Sequence, residues 1–152
     1  MSKNIHIAIG CDHGGFDLQA DVIASLEKLG YDVKDHGTNS ADSTDYPDHI
    51  HPVGYDIDCG RAAKGIILCG SGNGAAMTAN KHPNVRAALC WTEELARLAR
   101  QHNDANVLSI PARFVDRDTA LAMVQAFMTT DFDGGRHTRR VDKIQLDPNQ
   151  NC

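Results

Sequence analysis

The sequence gathers its chemistry into a few short stretches. At 69–74 a cysteine opens CGSGNG, in which every second residue is glycine. Glycine bends the backbone where other residues resist, and successive amides can then face an anion. A thiol set just before such a turn has its thiolate favoured, and a thiolate serves as nucleophile or general base. As a nucleophile Cys69 would need an oriented histidine; His102 is available, but no feature of the sequence puts the two in contact. Residues 70–75 also fit G-x-G-x-x-A, the dinucleotide fingerprint, with Glu93 near the place of a ribose-binding acid. Here, however, the fingerprint follows the third strand rather than the first, and Glu93 suits the first turn of a helix. A nicotinamide-binding module is therefore the weaker reading.

Other polar groups stand where strands should end. CDHGG at 11–15 supplies Asp12 and His13, CWT at 90–92 closes a fourth strand, and QHND at 101–104 supplies His102 and Asn103. These groups are expected to share one rim with Cys69 and Ser71. Basic residues cluster once, in GGRHTRRVDKI at 134–144. There Arg136 and Arg140 fall one helical turn apart, and guanidinium forks suit phosphate oxygens. The eight histidines include an H-x-H at 49–51, but no HExxH and no paired Cys/His zinc spacing occurs. His49 and His51 are expected on the solvated start of a helix, and no functional metal is expected.

The elements that must position these groups alternate. Strands are expected at 5–10, 31–36, 65–69, 86–90 and 105–110. Helices are expected at 16–29, 48–63, 75–81, after Thr92 and at 116–129, with a short basic helix in the tail. Pro52 and Gly54 weaken the second helix. Such alternation implies a parallel sheet with helices on both faces, whose ligands bind beyond the carboxyl ends of the strands.

The totals agree with one domain over residues 1–152, large enough to bury a core without staples. A net charge of −5 argues against a general nucleic-acid binder, and no apolar run approaches a membrane span. Residues 1–15 do not read as a signal peptide. The cysteine count is odd, at five, and the spacings are wide, which suggests reduced thiols in a cytoplasm; Cys152 reads as exposed and incidental.

Taken together, GCDHGG (10–15), TDYPD (44–48), CGSGNG (69–74), ANK (79–81), RQHNDANVL (100–108) and GGRHTRRV (134–141) resemble the type B ribose-5-phosphate isomerases. That family is grouped with the galactose-6-phosphate and allose-6-phosphate isomerases. The motifs run in the family's order along nearly the whole chain. The resemblance implies an α/β fold, a Rossmann-like three-layer α/β/α domain with a five-stranded parallel sheet. It also implies a homodimer, often paired into tetramers, with active sites at the dimer interface. The implied activity is aldose–ketose isomerisation of a sugar phosphate in the pentose phosphate pathway, with no metal or organic cofactor. By the same resemblance Cys69 moves the proton between C2 and C1. Ser71, with Gly70, Gly72, Asn73 and Gly74, meets the enediolate. His102 opens the furanose ring with Asp12 assisting, Asn103 holds a sugar oxygen and Tyr46 lines the pocket. His13, Arg136 and Arg140 hold the phosphate, with Arg113 beside them.

One feature departs from part of the family. Some members lack the cysteine and carry a glutamate base just after SGNG; here that position is Ala75 and Cys69 is present. The leading expectation is a ribose-5-phosphate isomerase, with allose or galactose 6-phosphate as alternative substrates. A non-catalytic sugar-phosphate binder would lack the base or the ring-opening histidine, and both are present.

Overall fold

Strands form where β-branched and other apolar residues run together, and helices form where they recur every three or four positions. The computed structural model describes residues 6–150; Ile5 and Cys152, read above as the start of a strand and an exposed end, lie outside them. Five strands result: β1 (His6–Cys11), β2 (Asp32–Asp35), β3 (Ala62–Cys69), β4 (Ala87–Leu89) and β5 (Val107–Pro111). They alternate with α1 (Phe16–Lys28), α2 (Tyr46–Asp58), α3 (Asn73–Ala79), α4 (Glu93–Asn103) and α5 (Arg117–Thr129), and α6 (Arg136–Asp142) follows. All strand pairs are parallel, in the order β2-β1-β3-β5-β4.

Side chains alternate across the two faces of β3. Ile66 and Leu68 join Val22 and Leu26 of α1, Ala96 of α4, and Met123 and Phe127 of α5. Ile67 and Cys69 face the other way, toward Ile50 and Val53 of α2 and Ala75 of α3. The result is three layers, α1, α4 and α5 on one face of the sheet and α2 and α3 on the other. Fully burying each such Ile or Leu contributes about 1.5–3 kcal/mol, so the central strand anchors both layers.

The second helix departs from its expected bounds of 48–63. It begins at Tyr46 and ends at Asp58, and Ala62 and Ala63 belong to β3. Gly60 adopts a positive φ of 69°, which a side chain would oppose. The Arg61 amide then turns back to the Asp56 carbonyl at 2.8 Å, closing the helix. Pro52 is accommodated inside because Asp48, whose carbonyl loses its amide partner there, lies on the exposed side.

Register sets depth. Cys69 pairs with Pro111 and Cys11 with Leu68, so both cysteines close their strands at the carboxyl edge. At the amino edge the Gly65 amide donates to the Asn106 carbonyl at 2.8 Å.

Candidate active site

Two loops meet at the carboxyl edge. The Asp12 carboxylate is buried and accepts the Gly14 amide at 2.9 Å, which folds the loop after β1. Gly14 lies so close to the loop after β3 that a Cβ there would stand 2.7 Å from the Gly70 nitrogen. His13 Nδ1 accepts the Thr44 amide at 3.1 Å, which leaves the ring's proton on Nε2. The Thr44 hydroxyl meets His49 Nε2 at 3.0 Å, and His49 Nδ1 donates to the His36 carbonyl at 3.0 Å. His49 is thus a half-buried strut of this loop. His51 is half-buried too, hydrogen-bonded to His82 at 2.9 Å, and neither histidine is the solvated group expected from the sequence.

Cys69 ends β3 with 5% of its surface exposed. Its Sγ accepts the Gly72 amide at 3.1 Å. Gly72 reaches this position with φ at 76°, and its carbonyl accepts the hydroxyl of the fully buried Ser109 at 2.8 Å. Ser71 and Asn73 are exposed beside it, with the Asn73 amide on Ser71 Oγ at 3.3 Å. Among the described residues, the amides of Gly70, Ser71 and Gly74 donate to no protein acceptor. The Arg113 amide donates to the Gly70 carbonyl at 3.1 Å, and its guanidinium runs alongside Gly70. The Tyr46 ring lies over Gly74, where a Cβ would come within 2.5 Å of it. Asp12, His13, Tyr46, Cys69, Ser71, Arg113 and the glycine turn therefore form one cradle. Burial pushes the Cys11 thiol up to about 12 and the Cys90 thiol to about 11, so neither competes as a reactive sulfur.

His102 and Asn103 do not join that rim, contrary to the expectation. A helix that follows a parallel strand runs back along it, so its last turn lies at the amino edge. Asn103 ends α4 and leads within three residues to Asn106, the partner of Gly65. Gly65 precedes Cys69 by four residues, or roughly 13 Å of strand, and His102 lies farther back still. Arg100 pins this end of α4 by donating to the Asp104 carboxylate at 2.9 Å and to the Ala105 and Thr130 carbonyls at 2.6 and 3.1 Å.

The basic segment sits at the same end. His137 of α6 stacks on His102 with ring centres 4.3 Å apart and planes 12° from parallel. Burial, His102, Arg136 and Arg140 together hold its imidazolium below the usual histidine range. Arg61, Arg86, Arg97, Arg100 and Arg117 are each paired with a carboxylate. Among the described residues Arg113, Arg136, Arg139 and Arg140 are in no such pair. A cleft of about 670 Å³ opens here, lined by Asn103, Arg86 and Ile144 among others, and it contains none of the cradle.

Ser109 went unmarked in the sequence, where its signal is a lone hydroxyl in the otherwise apolar strand VLSIP, and His137 counted there only as one of the basic tail residues Arg136, His137, Arg139, Arg140 and Lys143.

A profile of the Ribose/Galactose Isomerase family matches residues 7–144. Ribose-5-phosphate isomerase B of Escherichia coli strain K12 is 41% identical over 138 residues, covering 91% of this chain and 93% of its own. The ribose-5-phosphate isomerase B structure from Clostridium thermocellum superposes with a TM-score of 0.89 at 44% identity, covering 92% of this chain and 95% of that one. The ribose 5-phosphate isomerase structure from Thermotoga maritima gives 0.89 at 45% identity, with 93% and 97% covered.

Proposed function

The chain belongs to the ribose/galactose isomerase family, and we propose that it interconverts ribose 5-phosphate and ribulose 5-phosphate through an enediolate, with Cys69 as the base. The observation that carries this reading is the Gly72 amide on Cys69 Sγ at 3.1 Å, beside loop amides left free to meet an oxyanion. Relatives named for this reaction at 41–45% identity support the substrate.

In the open-chain aldose the Cys69 thiolate takes the proton from C2. The C2 electron pair forms the C1–C2 double bond, and the C1 carbonyl becomes an enediolate oxygen. Return of that proton to C1 leaves the carbonyl at C2, while the O2 proton passes to O1 with Ser71 Oγ as the relay. A proton on carbon next to a carbonyl is weakly acidic, so fixed donors must meet the developing charge; the amides of Gly70, Ser71 and Gly74 are placed to do so. His13, its proton held on Nε2, is a donor for the phosphate.

The remaining groups come from a second copy. Cys69 and His102 stand at opposite edges of the sheet, so one chain cannot close the site. Trp91 and Phe114, 55% and 76% exposed, flank an open depression that contains Ser71 and Asn73. An apolar rim around a polar cradle suits a partner surface. In a homodimer the partner would bring its His102 to open the furanose ring, with Asp12 assisting from the cradle. Its Asn103 would hold a sugar oxygen, and its Arg136 and Arg140 would join His13 and Arg113 on the phosphate. Binding free energy from that remote dianion positions C2 at the sulfur.

A coupled assay tests the activity. Ribose 5-phosphate should be converted to ribulose 5-phosphate with no loss of rate when a chelator is added, and faster than allose or galactose 6-phosphate is converted. Turnover of a hexose phosphate alone, or turnover that stops on chelation, would contradict the reading.

A further inference from the structure

The half-site at the amino edge holds a carboxylate that the isomerisation does not use. His102, Asp133 and His137 each offer a ligand atom, all within 4.8 Å of one another. The backbone sets this grouping. The Asp133 amide donates to the Gln101 carbonyl at 3.0 Å, fixing the carboxylate's stem beside the last turn of α4. Gly134 and Gly135 then turn the chain at φ of 65° and 54°, and the His137 amide closes the turn on the Gly134 carbonyl at 3.0 Å. That turn is what brings His137 onto His102.

Two imidazoles, a carboxylate and a side open to solvent are the ligand set of a four-coordinate zinc with one exchangeable position. Imidazole selects ions such as Zn²⁺ and Co²⁺ over Mg²⁺ and Ca²⁺, which prefer an all-oxygen shell. Bonds of about 2.0–2.2 Å to a tetrahedral ion set ligand atoms roughly 3.3 Å apart. The three groups must therefore draw together by up to about 1.5 Å, a motion of side chains alone. Asp133 is exposed and both histidines are half-exposed, so rotation about their side-chain bonds is open to them.

We propose that His102, Asp133 and His137 form a site for a divalent transition metal of the Zn²⁺ or Co²⁺ type, whose occupation inhibits the enzyme. The inhibition rests on the reading of His102 as the ring-opening group: a metal on its nitrogen occupies the lone pair that must move a proton. Chelation restores activity. Asp133 touches neither sugar nor phosphate in that reading, so its removal leaves basal turnover unchanged.

The test compares metal-free wild type with Asp133→Ala in two measurements. Zn²⁺ should inhibit ribose 5-phosphate turnover by the wild type reversibly, and Asp133→Ala should need at least about tenfold more Zn²⁺ for the same effect. Co²⁺ should give the intense visible absorption of a tetrahedral site with the wild type and lose it with Asp133→Ala and with His137→Ala. Equal Zn²⁺ sensitivity of wild type and Asp133→Ala would place the metal elsewhere, at the Cys69 thiolate above all, and would overturn the proposal. A wild type inactive on every sugar phosphate would overturn the functional reading instead, and the Co²⁺ spectra would then decide the metal site by themselves.

Discussion

Cys69 differs from Cys11 and Cys90 in what its sulfur touches. All three are buried, but Cys69 Sγ accepts the Gly72 amide at 3.1 Å beside the open loop, whereas the Cys90 thiol donates to the Ala88 carbonyl and burial pushes the Cys11 thiol up to about 12. Replacing Cys69 with alanine removes the proposed base but leaves the loop amides and the arginines in place. Cys69→Ala should therefore lower kcat about 10²- to 10⁴-fold while sugar phosphate still binds, as steady-state kinetics and calorimetry would register. Wild-type turnover in this variant would remove the assignment. Arg136→Ala acts on the opposite term. Loss of one charge-assisted contact to phosphate should raise KM about 10- to 100-fold with little change in kcat, and an unchanged KM would place the phosphate elsewhere. The cradle was largely legible at this scale, because CGSGNG and CDHGG name both the thiol and the loops that hold it. Ser109 was not, because a serine within a strand does not announce which carbonyl it will reach.

Elements decide which residues meet. Strand–helix alternation gave the sheet and its two covering layers, and most boundaries fell within two residues. The exceptions were the start of β3, at Ala62 and not Gly65, and the end of α2, where Gly60 and the Arg61-to-Asp56 closure act through a positive φ that the pattern of apolar residues does not encode. Asp56 itself joins three elements. Its carboxylate meets His36 Nε2 at 2.6 Å, Arg61 Nε at 2.7 Å and Lys34 at 3.6 Å, tying α2 to β2 and to the start of β3. Burial would raise this carboxyl, but hydrogen bonds from His36 and Arg61 outweigh it and hold the group below the usual carboxylate range. A carboxyl held low in the folded chain stabilises it above the unfolded value of about 3.9 and ceases to do so as pH falls through the folded value. Thermal unfolding across pH should show Tm falling below about pH 4 in the wild type. In Asp56→Asn, Tm should be lower at pH 7 and the fall on acidification shallower. Parallel wild-type and variant curves would deny Asp56 this role.

In the proposed reading the whole molecule carries two halves of a site. Among the described residues, the cradle holds the thiol, the unpaired loop amides and Asp12; the amino edge holds His102, Asn103 and arginines in no ion pair. The motifs named both sets but suggested a single rim, because linear order does not say which edge of a sheet a helix end will reach. The second copy was an expectation from the family resemblance, and the opposed edges support proposing it. The exposed Tyr46, Met77, Trp91 and Phe114 are the apolar surface such a copy would cover. Mixing two inactive variants tests this most directly. Cys69→Ala and His102→Ala should each be inactive alone. Unfolded together and refolded as a mixture, they should form heterodimers in which one of the two sites has both wild-type residues. Random pairing predicts roughly a quarter of wild-type activity. A refolded mixture as inactive as its parents would contradict a site shared between two chains.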